Sequence, residues 1–173
     1  MKKNIILIGF MGTGKSSLGR HLARRLGYKF VDTDSAIEEI TGKTVEQIFR
    51  KDGEIRFRSE EKLLVRKLSR RAGLVVATGG GTVLDRENVE ILRQNGVLIC
   101  LTAAPEVIFQ RVKNKKRRPL LSRGDLWENI VRLLHERAGA YEVAEFTVDT
   151  GELGFDEVLH QIINYLQQKE YIS

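Results

Sequence analysis

At 173 residues, 42% hydrophobic and 30% charged, the chain is long enough for one domain with a full core, too short for two ordinary ones, and ordinary in composition for a soluble globular protein. The apolar run after Met1-Lys2-Lys3 is too short for a secretory h-region, no segment reaches the ~20 apolar residues that cross a bilayer, and a single cysteine excludes an internal disulfide. A formal charge of +6 points to anionic partners without naming them.

In chain order, Asn4 to Gly9 reads as a buried strand, and Lys15 to Leu26 as a helix with Leu18, Leu22, Ala23 and Leu26 on one face. Phe30-Val31-Asp32 is a short second strand. Helical pattern follows from Ser35 through Arg71, interrupted near Gly42 and Gly53. Leu74 to Ala77 is a third strand that runs into Gly79-Gly80-Gly81. Asn88 to Gln94 is helical, Val97 to Leu101 is a fourth strand holding Cys100 as a buried, inert thiol, and Pro105 opens another helix. The polar, basic segment 112–124, with Pro119 as its only stiff point, reads as a mobile lid. Asp125 to Tyr141 is helical, Phe146 to Asp149 a fifth strand, and Phe155 to Gln168 a closing amphipathic helix.

Alternation of this kind predicts an α/β fold: a five-stranded parallel sheet with helices on both faces, three layers, in one domain over residues 1–173. Ligands of such sheets collect at the carboxyl ends of the strands. Gly9 to Ser16, Asp32 to Asp34 and Thr78 to Gly81 all follow strands.

The first of these segments, Gly9-Phe10-Met11-Gly12-Thr13-Gly14-Lys15-Ser16, has the G-x-x-x-x-G-K-[ST] spacing of a phosphate loop. Its glycines let the backbone curl so that successive N–H groups face phosphate oxygens, and the helix that follows adds its positive end. Lys15 can reach the β- and γ-phosphates, and the Ser16 hydroxyl can ligate Mg²⁺. Asp32 and Asp34, two apart in an extended segment, point the same way toward phosphates or acceptor, although either reading of Asp34, helix cap or ligand, is open on this spacing alone. The arginines near Phe57 offer a fork for a substrate carboxylate. Three consecutive glycines after a buried strand mark close approach of the backbone to something, or conformations barred to other residues.

Together these pieces closely resemble the shikimate kinase family, over almost the whole chain and in order. The phosphate loop is followed by Asp32-Thr33-Asp34, Phe57-Arg58 with Glu61, Gly79-Gly80-Gly81, Arg118-Pro119-Leu120-Leu121, Glu136-Arg137 with Tyr141, and Val148-Asp149-Thr150. The resemblance implies a P-loop kinase fold of the nucleoside monophosphate kinase type. It also implies ATP and Mg²⁺ as cofactors, and phosphoryl transfer to the 3-hydroxyl of shikimate in the route to aromatic amino acids.

Carried over residue by residue, the resemblance assigns shikimate to Asp34, Arg58, Gly80 and Arg137, with Gly79 and Gly81 shaping the pocket through backbone and Glu61 orienting Arg58. Val45, Phe49, Phe57, Pro119 and Leu120 would be its apolar walls, within a substrate-binding helical segment at about 33–61. Nucleotide would be held by Gly12, Thr13, Gly14, Lys15, Ser16, Ser17, Arg111 and Arg118, and by the loop after Thr150. Ser16 would bind Mg²⁺ directly, with Asp32 near it through water. Lys15, Asp32, Asp34 and Arg118 would carry the chemistry, the base being unassigned between the two aspartates and Arg118 serving as the lid arginine.

Three rival readings stand beside it, the first a non-catalytic nucleotide-binding regulator or scaffold, which would have no need of Lys15, Ser16, Asp32 and Arg118 all at once. Gluconate or a nucleoside monophosphate could be the acceptor of a small P-loop kinase, since arginines alone do not select shikimate. The run Lys113-Asn114-Lys115-Lys116-Arg117-Arg118 could be a nucleic-acid patch, but it lacks interleaved aromatics. The expectation is therefore a monomeric cytoplasmic enzyme with a small-molecule partner and neither nucleic acid nor membrane.

Overall fold

The computed structural model describes residues 2–115, 121 and 124–173. Most of the expected lid, with Arg118, Pro119 and Leu120, therefore lies outside the described residues.

β1 (Asn4–Ile8) is buried at every position, as a central strand covered on both faces must be. It pairs in parallel with β3 (Leu74–Ala77) on one side and β4 (Gly96–Thr102) on the other. β2 (Lys29–Asp32) lies beyond β3 and β5 (Phe146–Asp149) beyond β4, so the order is β2-β3-β1-β4-β5, five strands, all parallel. From β1 the chain goes out to β2, returns through β3, then crosses β1 to reach β4. That reversal makes the carboxyl end of β1 the switch point where a crevice opens.

Side-chain alternation splits β1 between two cores. Ile6 and Ile8 join Ile37 of α2 (Thr33–Thr41), Ile48 of α3 (Val45–Lys51), Phe57, Val65 and Leu68 of α4 (Glu54–Ser69), and Val89 and Leu92 of α5 (Arg86–Gln94). Ile5 and Leu7 face Leu18 and Leu22 of α1 (Lys15–Leu26) and Ile162 and Leu166 of α8 (Phe155–Gln168). A third cluster of Phe10, Ile108, Val112, Leu121, Ile130 and Leu133 ties α6 (Pro105–Val112) and α7 (Leu126–Tyr141) to the chain leaving β1.

The helical stretch expected over 35–71, interrupted near Gly42 and Gly53, is three helices, and the breaks fall where Gly42 (φ 68°) and Gly53 (φ 86°) take left-handed or otherwise unusual backbone. Thr44 and Gln47 form a reciprocal capping box at the start of α3. Cys100 is buried in β4, and burial pushes its thiol up to about 11. Among the described residues no helix is long and apolar enough to cross a membrane.

Candidate active site

A cavity of about 380 Å³ opens at the carboxyl ends of β1, β2 and β3. The loop after β1 forms its floor. Gly12 (φ 77°) and Gly14 (φ 99°) take the left-handed backbone that this curl requires. Lys15 is buried, and its Nζ donates to the carbonyls of Gly9 (2.7 Å) and Phe10 (2.8 Å). The helix that follows, α1, has neither a side-chain cap nor an acidic residue in its first turn. Its positive end is thus left for an anion in the cavity.

Asp32, the last residue of β2, does two things at once. Its Oδ1 accepts from the backbone N–H of Ser35 (3.1 Å), capping α2, and its Oδ2 accepts from the hydroxyl of Ser16. This corrects the expectation of an extended Asp32-Thr33-Asp34. The helix begins at Thr33 with no intervening loop, so Asp34 is neither extended nor the cap but a first-turn residue. Both carboxylates nonetheless line the same cavity, because the first turn of α2 folds over it. Thr33, unremarked in the sequence, is fully buried and accepts from the N–H of Gly79 (3.0 Å).

Arg58 reaches the cavity from the start of α4, in ion pairs with Glu61 (3.0 Å) and Glu54 (3.3 Å). Glu61 is 1% exposed, and its second oxygen accepts from Thr82 Oγ1 at 2.7 Å. The expected orienting contact is therefore present, with Thr82 backing it. Val45, Phe49 and Phe57 line the same space, and the Phe49 and Phe57 rings pack at 5.1 Å. Both Val45 and Phe49 also lean on the core beneath, so wall and core are one role here.

The glycine triplet follows β3, and close approach is what it serves. A Cβ at Gly79 would lie 2.8 Å from Asp34 Oδ1, one at Gly80 3.0 Å from Arg137 Nη1, and one at Gly81 2.5 Å from Arg58 Nη2. Each glycine thus makes room for one polar side chain of the cavity, and the three side chains come from α2, α7 and α4. Arg137 is only 4% exposed. Its guanidinium lies 5.9 Å from the centre of the Phe10 ring, and among the described residues no carboxylate is ion-paired with it.

A second cavity of about 380 Å³ continues from the loop and is lined by Gly12, Thr13, Gly14, Ser17, Arg111 and Thr150 among others. Arg111 donates to the carbonyl of Gly12 (3.1 Å) and to both the hydroxyl (3.1 Å) and carbonyl (2.8 Å) of Thr150. Thr150 Oγ1 donates to the carbonyl of Thr13 at 2.7 Å, which clasps the loop after β5 to the phosphate loop. Phe155 and Lys115 also border this space. Neither carried a sequence signal: Phe155 reads simply as a helix start and Lys115 as part of a solvated basic run. Arg118 falls outside the described residues.

The sequence model of the shikimate kinase family matches residues 11–167. The shikimate kinase of Pelotomaculum thermopropionicum is 63% identical over 171 residues, covering 99% of both chains. That of Desulforudis audaxviator is 59% identical over 171 residues, covering 99% of this chain and 90% of its own. The solved structure of the shikimate kinase from Acinetobacter baumannii in complex with shikimate superposes with a TM-score of 0.93 at 38% identity, covering 98% of this chain and 95% of that one. Phosphate loop, glycine triplet and buried arginine thus sit in a chain whose full length matches these proteins, and it belongs to the shikimate kinase family.

Proposed function

We propose that the chain transfers the γ-phosphoryl group of ATP to the 3-hydroxyl of shikimate, giving shikimate 3-phosphate and ADP. One observation carries this reading: Arg137, a buried cation with no carboxylate paired to it among the described residues, faces a cavity that begins at a phosphate loop. Such a cation costs several kcal/mol unless something neutralises it, so the cavity favours an acceptor that brings its own negative charge. The carboxylate of shikimate supplies that charge to Arg137 and Arg58, and its ring lies against Val45, Phe49 and Phe57.

Asp34, which lies beside Gly79 in the same cavity, would accept from ring hydroxyls and orient the one that attacks. Lys15 donates to loop carbonyls, and phosphate oxygens would take their place as acceptors. Gly12, Thr13, Gly14, Ser16 and Ser17 offer backbone N–H groups to the phosphates, while Arg111 beside Thr150 borders the space left for the base.

The Ser16 hydroxyl and the Asp32 carboxylate, already in hydrogen-bonding contact, are hard oxygen donors of the kind Mg²⁺ takes when phosphates and water complete its shell. Among the described residues no cluster of three or more acidic, His or Cys side chains competes for that role. Ser16 would hold Mg²⁺ directly and Asp32 through water, and the ion would neutralise charge on the β- and γ-phosphates. We take the enzyme to work as a monomer in the cytoplasm, with Arg118 contributing a further cation to the transferred phosphoryl.

A coupled ADP-release assay comparing shikimate, gluconate and nucleoside monophosphates tests this. ADP release should rise with shikimate alone, and no response to shikimate would overturn the proposal.

A further inference from the structure

Tyr141, the last residue of α7 and a member of the family motif with Arg137, has no assigned role in binding or transfer, yet its hydroxyl is tied to the glycine triplet. It donates to the carbonyl of Gly80 at 2.6 Å. Arg137 lies one helical turn earlier on the same side of α7, and its positive charge reaches that hydroxyl. Gly80 in turn leaves the space that Arg137 occupies, its missing Cβ position being 3.0 Å from Nη1. The Phe10 ring, 2% exposed, lies beside the guanidinium. Gly80 is therefore held by the phenol through its carbonyl and packed against the guanidinium through its missing side chain.

We propose that Tyr141 is a positioning residue: its hydroxyl fixes the Gly80 carbonyl, and with it the backbone against which the Arg137 guanidinium packs, so that the cation is aimed before the substrate carboxylate arrives. This rests on reading Arg137 as the carboxylate clamp. An arginine stem free to change rotamer would lose that freedom at each binding event, and fixing it beforehand removes the cost from binding. Burial also pushes the Tyr141 hydroxyl up to about 12, which keeps it a donor at any working pH.

Tyr141→Phe removes one oxygen and keeps the ring. The Gly80 carbonyl loses its donor, the backbone beside the guanidinium loosens, and KM for shikimate should rise roughly tenfold. Meanwhile kcat should stay within about twofold and KM for ATP should not change, because neither depends on the carboxylate end. An analogue with the carboxylate reduced to an alcohol should show the same KM in both proteins. A merely structural tyrosine would instead lower Tm and kcat for either acceptor and leave KM alone. An unchanged KM for shikimate in the folded variant, or an equal rise with the analogue, would overturn the proposal.

Should the variant not fold, the unmodified chain decides the matter through tyrosine ¹³Cζ labelling. One of the four tyrosine signals, assigned to Tyr141 by substituting the other three, should move with shikimate and not with the analogue. A Tyr141 signal indifferent to shikimate would count against the proposal. Wild-type turnover of shikimate, measured alongside, separates the two readings, since its absence would remove the proposed function itself.

Discussion

A methyl group at Gly81 would meet Arg58 Nη2 at 2.5 Å and Nη1 at 2.8 Å. The backbone there (φ −105°) is open to alanine, so the obstacle is the guanidinium alone, the far end of a flexible side chain. The guanidinium can swing aside, but it then leaves Glu61, 1% exposed, without its cation, so Gly81→Ala should cost about 1–3 kcal/mol and still fold. It should nonetheless move Arg58 off the cavity and cut kcat/KM for shikimate roughly 10–100-fold, with KM for ATP unchanged. Steady-state kinetics with each substrate varied in turn checks this, and an undiminished kcat/KM for shikimate would refute it. The triplet was legible in the sequence as a demand for small residues. Which side chains it admits was not, because Asp34, Arg58 and Arg137 arrive from helices more than a hundred residues apart at the extremes.

At the scale of elements, the boundaries best read from sequence were those with a clear period and a sharp stop. Helices α1 and α8 and the breaks at Gly42 and Gly53 are of this kind. The start of α2 was misread because the residue that ends β2 is also the residue that caps the helix, leaving no loop to mark the change. That double duty makes Asp32 separable by chemistry. Asparagine caps a helix about as well as aspartate but carries no charge for a metal. Asp32→Asn should therefore keep the Tm of the parent, whereas Asp32→Ala should lose about 1 kcal/mol with the cap. Both should lower activity roughly 10–100-fold, with part of the loss in Asp32→Asn recovered at raised Mg²⁺. If Asp32→Asn melts with Asp32→Ala, the cap is not what Asp32 contributes to stability.

For the whole molecule, alternation of strand and helix made a parallel sheet legible, and unbroken burial in β1 and β3, with β4 buried up to its last residue, agrees with their inner places. Strand order was beyond it, since a crossover helix can return the chain on either side of β1 and only packing of the finished layers chooses. That packing also places a titratable group in the inner sheet. Cys100 in β4 is 1% exposed, and burial raises its thiol from 9.0 to about 11. Below pH 9 folded and unfolded chains both keep this proton, and it contributes no difference. Between 9 and 11 the unfolded chain releases it and the folded chain does not, so stability falls as pH rises, by up to about 3 kcal/mol at roughly 1.4 kcal/mol per unit. Tyr141, raised from 10.0 to about 12 chiefly by burial, adds a loss of the same sign at higher pH. Urea unfolding at pH 8 and pH 10.5 should show a large fall in midpoint for the parent. Cys100→Ala, weaker at pH 8 for its lost packing, should fall less between the two. Equal falls would mean that the thiol is not the group whose burial the sheet enforces against alkali.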